Sequence, residues 1–293
     1  MAIQKIMVPF LDEGSGTAAF ETGVVLAERF KAHLDVVHMR QRISPALTGN
    51  GYYPIAVTYI EDNIDTLTAA ANNRAEDLKK LYERLCRQRD VGLYDEEEHT
   101  DDKGVTAAWA DVDATLPYDL SSRARVSDLT ILARAGDDAP AYEFELVEEI
   151  IFQSGRPVLL ADTRQPIADF PDTVVVAWNG GREAARAITA AMPILKQAKL
   201  VIVMSVGNLP WASEPPDHVA SYLKLHGVRA TALQARLNKG VDPEEEFMAL
   251  VKKKRADLIV MGAYSHSRWR EVILGGFTRH LLRKSKIPIL MAH

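Results

Sequence analysis

Apolar residues along the chain gather in short runs separated by amphipathic stretches, and the spacing within each predicts a conformation. Lys5 to Phe10 (KIMVPF) is a short apolar run that gives way to polar DEGSG; from Ala18 to Lys31 apolar positions recur at helical spacing; LDVVHM (34–39) is a second short β-branched run. Strand, helix and strand in that order form a βαβ unit and predict a parallel sheet. The succession returns from Thr173 to Val206 as TVVVAW, a polar NGG, a helical AARAITAAMPILKQA and LVIVMSV.

The repetition continues to the C-terminal end. VSDLTILAR (126–134) matches RADLIVMGA (255–263), and SGRPVLLAD (154–162) matches SKIPILMAH (285–293). From Asp128 to Pro157 is 29 residues and from Asp257 to Pro288 is 31, so the spacing repeats as well. Earlier the halves differ: Met39 to Asp128 is 89 residues and Val206 to Asp257 is 51, which leaves the first half an insertion of about 38 residues. That insertion holds SPALTGNGYYPIAV (44–57), whose Gly, Pro and Tyr content predicts a loop, and a long amphipathic helix near Ile64 to Gln88. Further strands are expected at 104–111 and 228–235. The two prolines of TRQPIADFPDT (163–173) suit a linker, which divides the chain near residue 168 into domains 1–165 and 170–293. The fold class expected is α/β: two similar doubly wound domains, each a five-stranded parallel sheet flanked by helices. In such folds ligands sit beyond the carboxyl ends of the strands.

Composition narrows the function. A length of 293 residues suits two domains, and a net charge of -5 argues against nucleic acid as a partner, since phosphate backbones reward a strongly basic surface. The single cysteine, Cys86, excludes an intrachain disulfide and fits a reducing compartment. No apolar run reaches the roughly 18 residues that a membrane span needs, and MAIQKIMVPF lacks the pattern of an export signal. No membrane partner and a cytoplasmic location are therefore expected.

Candidate chemistry concentrates in MGAYSHSRWREVILGG (261–276), which follows an apolar strand, opens with one glycine and closes with two. The strand ADLIVMGA, the glycine loop, the GG-x-T helix start and the last strand IPILMAH, taken as an ordered set of five strands, resemble the universal stress protein family in its tandem two-domain form. The resemblance covers nearly the whole chain. It implies an adenine nucleotide α-hydrolase-like, Rossmann-like fold and a non-catalytic stress-response or regulatory role. It also implies that the two domains act as an intramolecular pseudo-dimer, in which Pro157 to Asp162 and Ile287 to His293 pair across a pseudo-twofold axis. A homodimer at a second level stays open.

Nucleotide-binding members of that family carry Gly-x2-Gly-x9-Gly-(Ser/Thr) after the fourth strand. The corresponding positions here are Gly262, Ser265, Gly275 and Gly276, so two of four depart. Glycines at such a loop let the backbone approach a phosphate, and amides of the following helix point at the anion. Thr278, two residues past the hydroxyl position, can supply the missing hydroxyl. Asn179 stands where the family places an acid at the end of the first strand. The resemblance thus implies at most weak binding of ATP in the second domain, through Asn179, Val206, Gly262, Ser265, Arg268, Gly275, Gly276, Phe277 and Thr278, with Arg270 and Arg279 as further flanking cations. In the first half Asp12 takes the place of Asn179, but the loop ARAGDDAPAYEFELVEE (133–149) sets Asp137, Asp138, Glu143 and Glu145 where phosphate would lie. Like charges there exclude a triphosphate.

Three other readings compete. GSGTAA (14–19) fits a Gly-x-Gly-x-x-Ala dinucleotide fingerprint, although Asp12 and Glu13 flank the supposed pyrophosphate and Asp35 lies near the start of the second strand. An ATP-hydrolysing enzyme of the α-hydrolase-like group would use the 262–276 loop, but no Gly-x-Ser-x-Gly elbow, P-loop or pair of catalytic carboxylates supplies a nucleophile or base. A pure interaction scaffold would use the 45–60 loop and the inserted helix. The scattered histidines show no metal-ligand spacing.

Overall fold

The computed structural model describes residues 2–41, 54–94, 104–114, 118–134, 141–209, 213–237, 240–263 and 276–293. The first half runs β1 (Lys5–Pro9), α1 (Glu13–Phe30), β2 (His33–Gln41), α2 (Pro54–Gln88), β3 (Gly92–Leu93), β4 (Thr106–Ala114), α3 (Tyr118–Ala124), β5 (Leu129–Arg134), α4 (Ala141–Ser154) and β6 (Val158–Asp162). The second runs β7 (Thr173–Ala177), α5 (Arg182–Leu195), β8 (Leu200–Val206), α6 (Pro216–Leu225), β9 (Ala230–Ala235), α7 (Pro243–Lys253), β10 (Leu258–Gly262), α8 (Gly276–Lys284) and β11 (Ile289–Ala292).

The strands join in one eleven-stranded sheet, ordered β3-β4-β2-β1-β5-β6-β11-β10-β7-β8-β9. Pairing is parallel inside each half and antiparallel where β6 meets β11, with Leu160 opposite Ile289, Leu159 opposite Leu290 and Val158 opposite Met291. The strands expected to pair across a pseudo-twofold axis therefore fuse the two sheets. Both faces of the inner strands are covered, which is why β6, β10 and β11 read as unbroken apolar runs; edge strand β9 is buried only at Ala230. In each half the chain winds outward from its first strand and then returns to that strand's other side. The crevices between β1 and β5 and between β7 and β10 are the switch points where doubly wound sheets take ligands.

The internal repeat is preserved as hydrogen bonds. Asp128 accepts from the backbone amides of Gln4 and Lys5, and Asp257 does the same for Asp172 and Thr173, so each aspartate ties its strand to the first strand of its half. Ser154 and Ser285 likewise close matching turns before β6 and β11, accepting from the amides of Arg156 and Ile287.

Two expectations need correction, and two other readings gain detail. The first half carries a sixth strand, since the two-residue β3 extends its edge beyond β4. Helix α2 begins at Pro54, ahead of the predicted Ile64, and absorbs residues 54–57 of the expected loop; proline suits a first helical position because its φ is preset and it lacks the N–H that would go unpaired there. Residues 42–53 lie outside those described. The GSGTAA stretch sits inside α1, where a Cβ on Gly16 would come within 2.6 Å of the Phe10 ring, so no loop is left there to hold a pyrophosphate. The proline-containing linker is packed on the first half: Ile167 is buried, its amide donates to the Thr22 hydroxyl at 3.2 Å, and Phe170 meets Phe30 edge-on.

The inserted helix gives its C-terminal half to the core. Leu78, Leu81, Tyr82, Leu85 and Cys86 are buried, and Tyr82 packs against Phe20 and Trp109. Among the described residues no helix is long and apolar enough to cross a membrane.

Candidate functional site

A cleft of about 500 Å³ opens at the carboxyl ends of β7, β8 and β10. Its floor is Met204, Val206 and Met261, side chains that point to one face of the sheet because residues two apart on a strand share a face. Phe247 of α7 and Phe277 of α8 meet edge-on, with ring centroids 5.3 Å apart, and close one side.

The opposite wall is the turn between β7 and α5. Gly180 has φ +78°, a region that side chains rarely adopt, and the Ser213 hydroxyl lies 2.5 Å from where its Cβ would be. The Asn179 side-chain oxygen accepts from the Gly181 amide at 2.9 Å. That leaves one lone pair and the side-chain amino group for a ligand. Trp178 is anchored at both ends: its indole N–H donates to the Glu214 carbonyl at 2.7 Å, and its own carbonyl accepts from the Ser205 hydroxyl at 2.7 Å.

Glu183, in the first turn of α5, is buried yet lines the cleft. Burial alone would raise its carboxyl; the amide of its own residue, the Arg182 guanidinium at 2.9 Å and nearby His293 outweigh that and hold it below the usual glutamate range. It is therefore ionised at neutral pH. Across the opening, Glu244 in the first turn of α7 reaches the start of α8, its Oε1 lying 3.7 Å from the place of a Cβ on Gly276.

Of the residues expected at the site, the cleft brings together Asn179, Val206, Gly262, Phe277 and Thr278, and exposed Gly276 begins the helix that carries the last two. Ser265, Arg268, Gly275 and Arg270 lie outside the described residues, as does the side chain of Arg279. Residue spacing did not point to Glu183 or Ser213 in the cleft, nor to Glu244 beside the start of α8, because the approach of these segments appears only in three dimensions.

The first half differs at the matching turn. The Phe10 amide donates to Val37 as the Trp178 amide donates to Met204, so Leu11, and not Asp12, is the counterpart of Asn179. Asp12 instead caps α1, receiving both the amide and the hydroxyl of Ser15. Of the acidic residues expected to exclude phosphate there, Glu145 is exposed, and Asp137, Asp138 and the Glu143 side chain lie outside the described residues. Among the described residues no cluster of His, Cys, Asp or Glu could hold a metal ion.

A doubly wound sheet with a ligand-sized cleft at its switch point defines the class of the second half, and comparison with known proteins agrees. Residues 171–293 match the model of the universal stress protein family. A universal stress protein of Synechocystis sp. is 28% identical over 172 residues, an alignment covering 56% of this chain and 57% of that protein, so the chain spans little more than half of that relative's length. The crystal structure of a universal stress protein from Archaeoglobus fulgidus is similar with a TM-score of 0.68 at 14% identity, covering 99% of this chain and 97% of that one. A Pseudomonas aeruginosa chain assigned to the same family gives a TM-score of 0.54 at 16% identity over 99% of this chain and 93% of its own. At these identities the two structures speak for the fold. The second half, residues 171–293, thus carries the match to the universal stress protein family, and the whole chain shares the fold of these full-length structures.

Proposed function

We propose that this is a non-catalytic stress-response or regulatory protein of the cytoplasm, built of domains 1–165 and 170–293, and that the second domain holds a weak site for an adenine nucleotide or nucleoside such as ATP. The observation that carries this reading is the cleft itself. Val206, Met204, Phe247 and Phe277 offer apolar surface for a flat base, Asn179 offers hydrogen bonds for sugar hydroxyls, and Thr278 adds a hydroxyl at the start of α8. The antiparallel seam of β6 and β11 supports the intramolecular pseudo-dimer, since it leaves neither half with a free strand edge at the centre of the molecule.

The test is a titration of the full chain with adenosine, AMP and ATP, followed by thermal stability and, in the same samples, by release of phosphate. Binding without turnover supports a sensor; phosphate release would move the protein to the ATP-hydrolysing alternative; no binding would leave the interaction scaffold. A bulky residue in place of Gly275 should abolish the binding of phosphate-bearing ligands.

A further inference from the structure

Resting on the reading of this cleft as an adenine site, we propose that Glu183 and Glu244 make it charge-selective, admitting the uncharged nucleoside and disfavouring the triphosphate. Among the described residues that line the cleft, Glu183 is the only charged one. Its carboxylate lies beside the turn of Asn179–Gly181, with Oε2 3.3 Å from the place of a Cβ on Gly181. A ligand resting against that turn meets a buried negative charge.

Glu244 acts at the other end. The start of α8 is where a phosphate would be held, because the first amides of a helix lack internal partners and the helix dipole favours an anion there. The Glu244 carboxylate stands near that place, its Oε1 3.7 Å from where a Cβ on Gly276 would be. A polyphosphate held there meets the repulsion of Glu244, while Glu183, its charge partly offset by Arg182 at 2.9 Å, adds a weaker repulsion from the side of α5. Neither carboxylate opposes adenosine: the apolar floor and Asn179 meet base and sugar without any demand for charge.

Calorimetric titration of the full chain tests this with two ligands and three proteins. Wild type should bind adenosine at least about tenfold more tightly than ATP. Glu244→Gln and Glu183→Gln keep shape but remove charge, and each should tighten ATP binding by roughly tenfold while leaving adenosine within about threefold. Glu244 is only partly buried, so its variant keeps the test available should loss of the buried Glu183 carboxylate disturb folding. ATP binding wild type as tightly as adenosine, or unchanged ATP affinity in Glu244→Gln, overturns the selectivity. If no protein binds either ligand, the adenine-site reading itself fails and the selectivity falls with it, an outcome distinct from the other two.

Discussion

Gly262 and Ala184 are in backbone contact: a Cβ on Gly262 would stand 2.5 Å from the Ala184 nitrogen and 2.6 Å from the Glu183 carbonyl carbon. The end of β10 thus supports the first turn of α5, and this packing alone demands a glycine at a position the family motif associates with phosphate. Gly262→Ala should lower stability in urea unfolding by about 1–3 kcal/mol, because both sides of the contact are main chain and α5 must move. Gly276→Ala, with 3.7 Å to its nearest neighbour, should change stability by less than about 0.5 kcal/mol.

Asp35 of β2 ties three elements together. Its carboxylate is 3% exposed and meets Arg123 of α3 at 2.8 Å and Lys5 of β1 at 3.0 Å. Burial alone would raise this carboxyl, but the two cations outweigh it and hold it below the ordinary aspartate range. A folded-state value below the unfolded one gives stability that is present above pH about 4 and lost as pH falls through the folded value. Asp35→Asn should cost about 1–3 kcal/mol at pH 7, less than for a fully buried pair because Arg123 and Lys5 both reach solvent. The gap between wild type and variant should narrow as urea unfolding is repeated at decreasing pH below 4.

The seam between β6 and β11 couples the halves. Leu159 and Leu290 face each other across it and are both buried. Leu159→Ala should cost about 2–4 kcal/mol. Variants that keep a single tryptophan, Trp109 in one half or Trp178 in the other, should report the same unfolding midpoint; separate midpoints would show that the seam does not link the halves.

Cys86 is a packing residue. Burial pushes its thiol up to about 11, so the native protein carries little thiolate at pH 8. An aromatic disulfide reagent should modify it slowly in buffer and rapidly in urea. Equal rates would mean that the C-terminal half of α2 opens readily.

Much of the fold could be read from the chain because the repeat is written in residues that make the same bonds twice. Asp128 and Asp257 stand out as a repeated pair in the sequence, and each ties down the first strand of its half. The aligned last strands likewise announce the central seam. The error at Asp12 has a physical cause: after the equivalent residues Phe10 and Trp178, which directly follow β1 and β7, the helix cap comes at Asp12 in one half and at Gly181 in the other, a one-residue difference that spacing within a polar turn does not reveal. The apolar floor of the cleft follows from strand periodicity. The carboxylate in it and the one beside α8 do not, because Glu183 and Glu244 look like ordinary first-turn acids until α5 and α7 are seen against β10 and α8.

The central claim is that the cleft of the second half receives an adenine ligand. The most direct measurement compares thermal unfolding of wild type and Val206→Trp with and without saturating adenosine, since a ligand that binds only the folded state raises its melting temperature. Val206 lies on the floor of the cleft, and an indole there would occupy the space of the base. Adenosine should raise the melting temperature of wild type and leave that of Val206→Trp unchanged, the two proteins melting alike without ligand. An equal rise in both, or no rise in wild type, would contradict it.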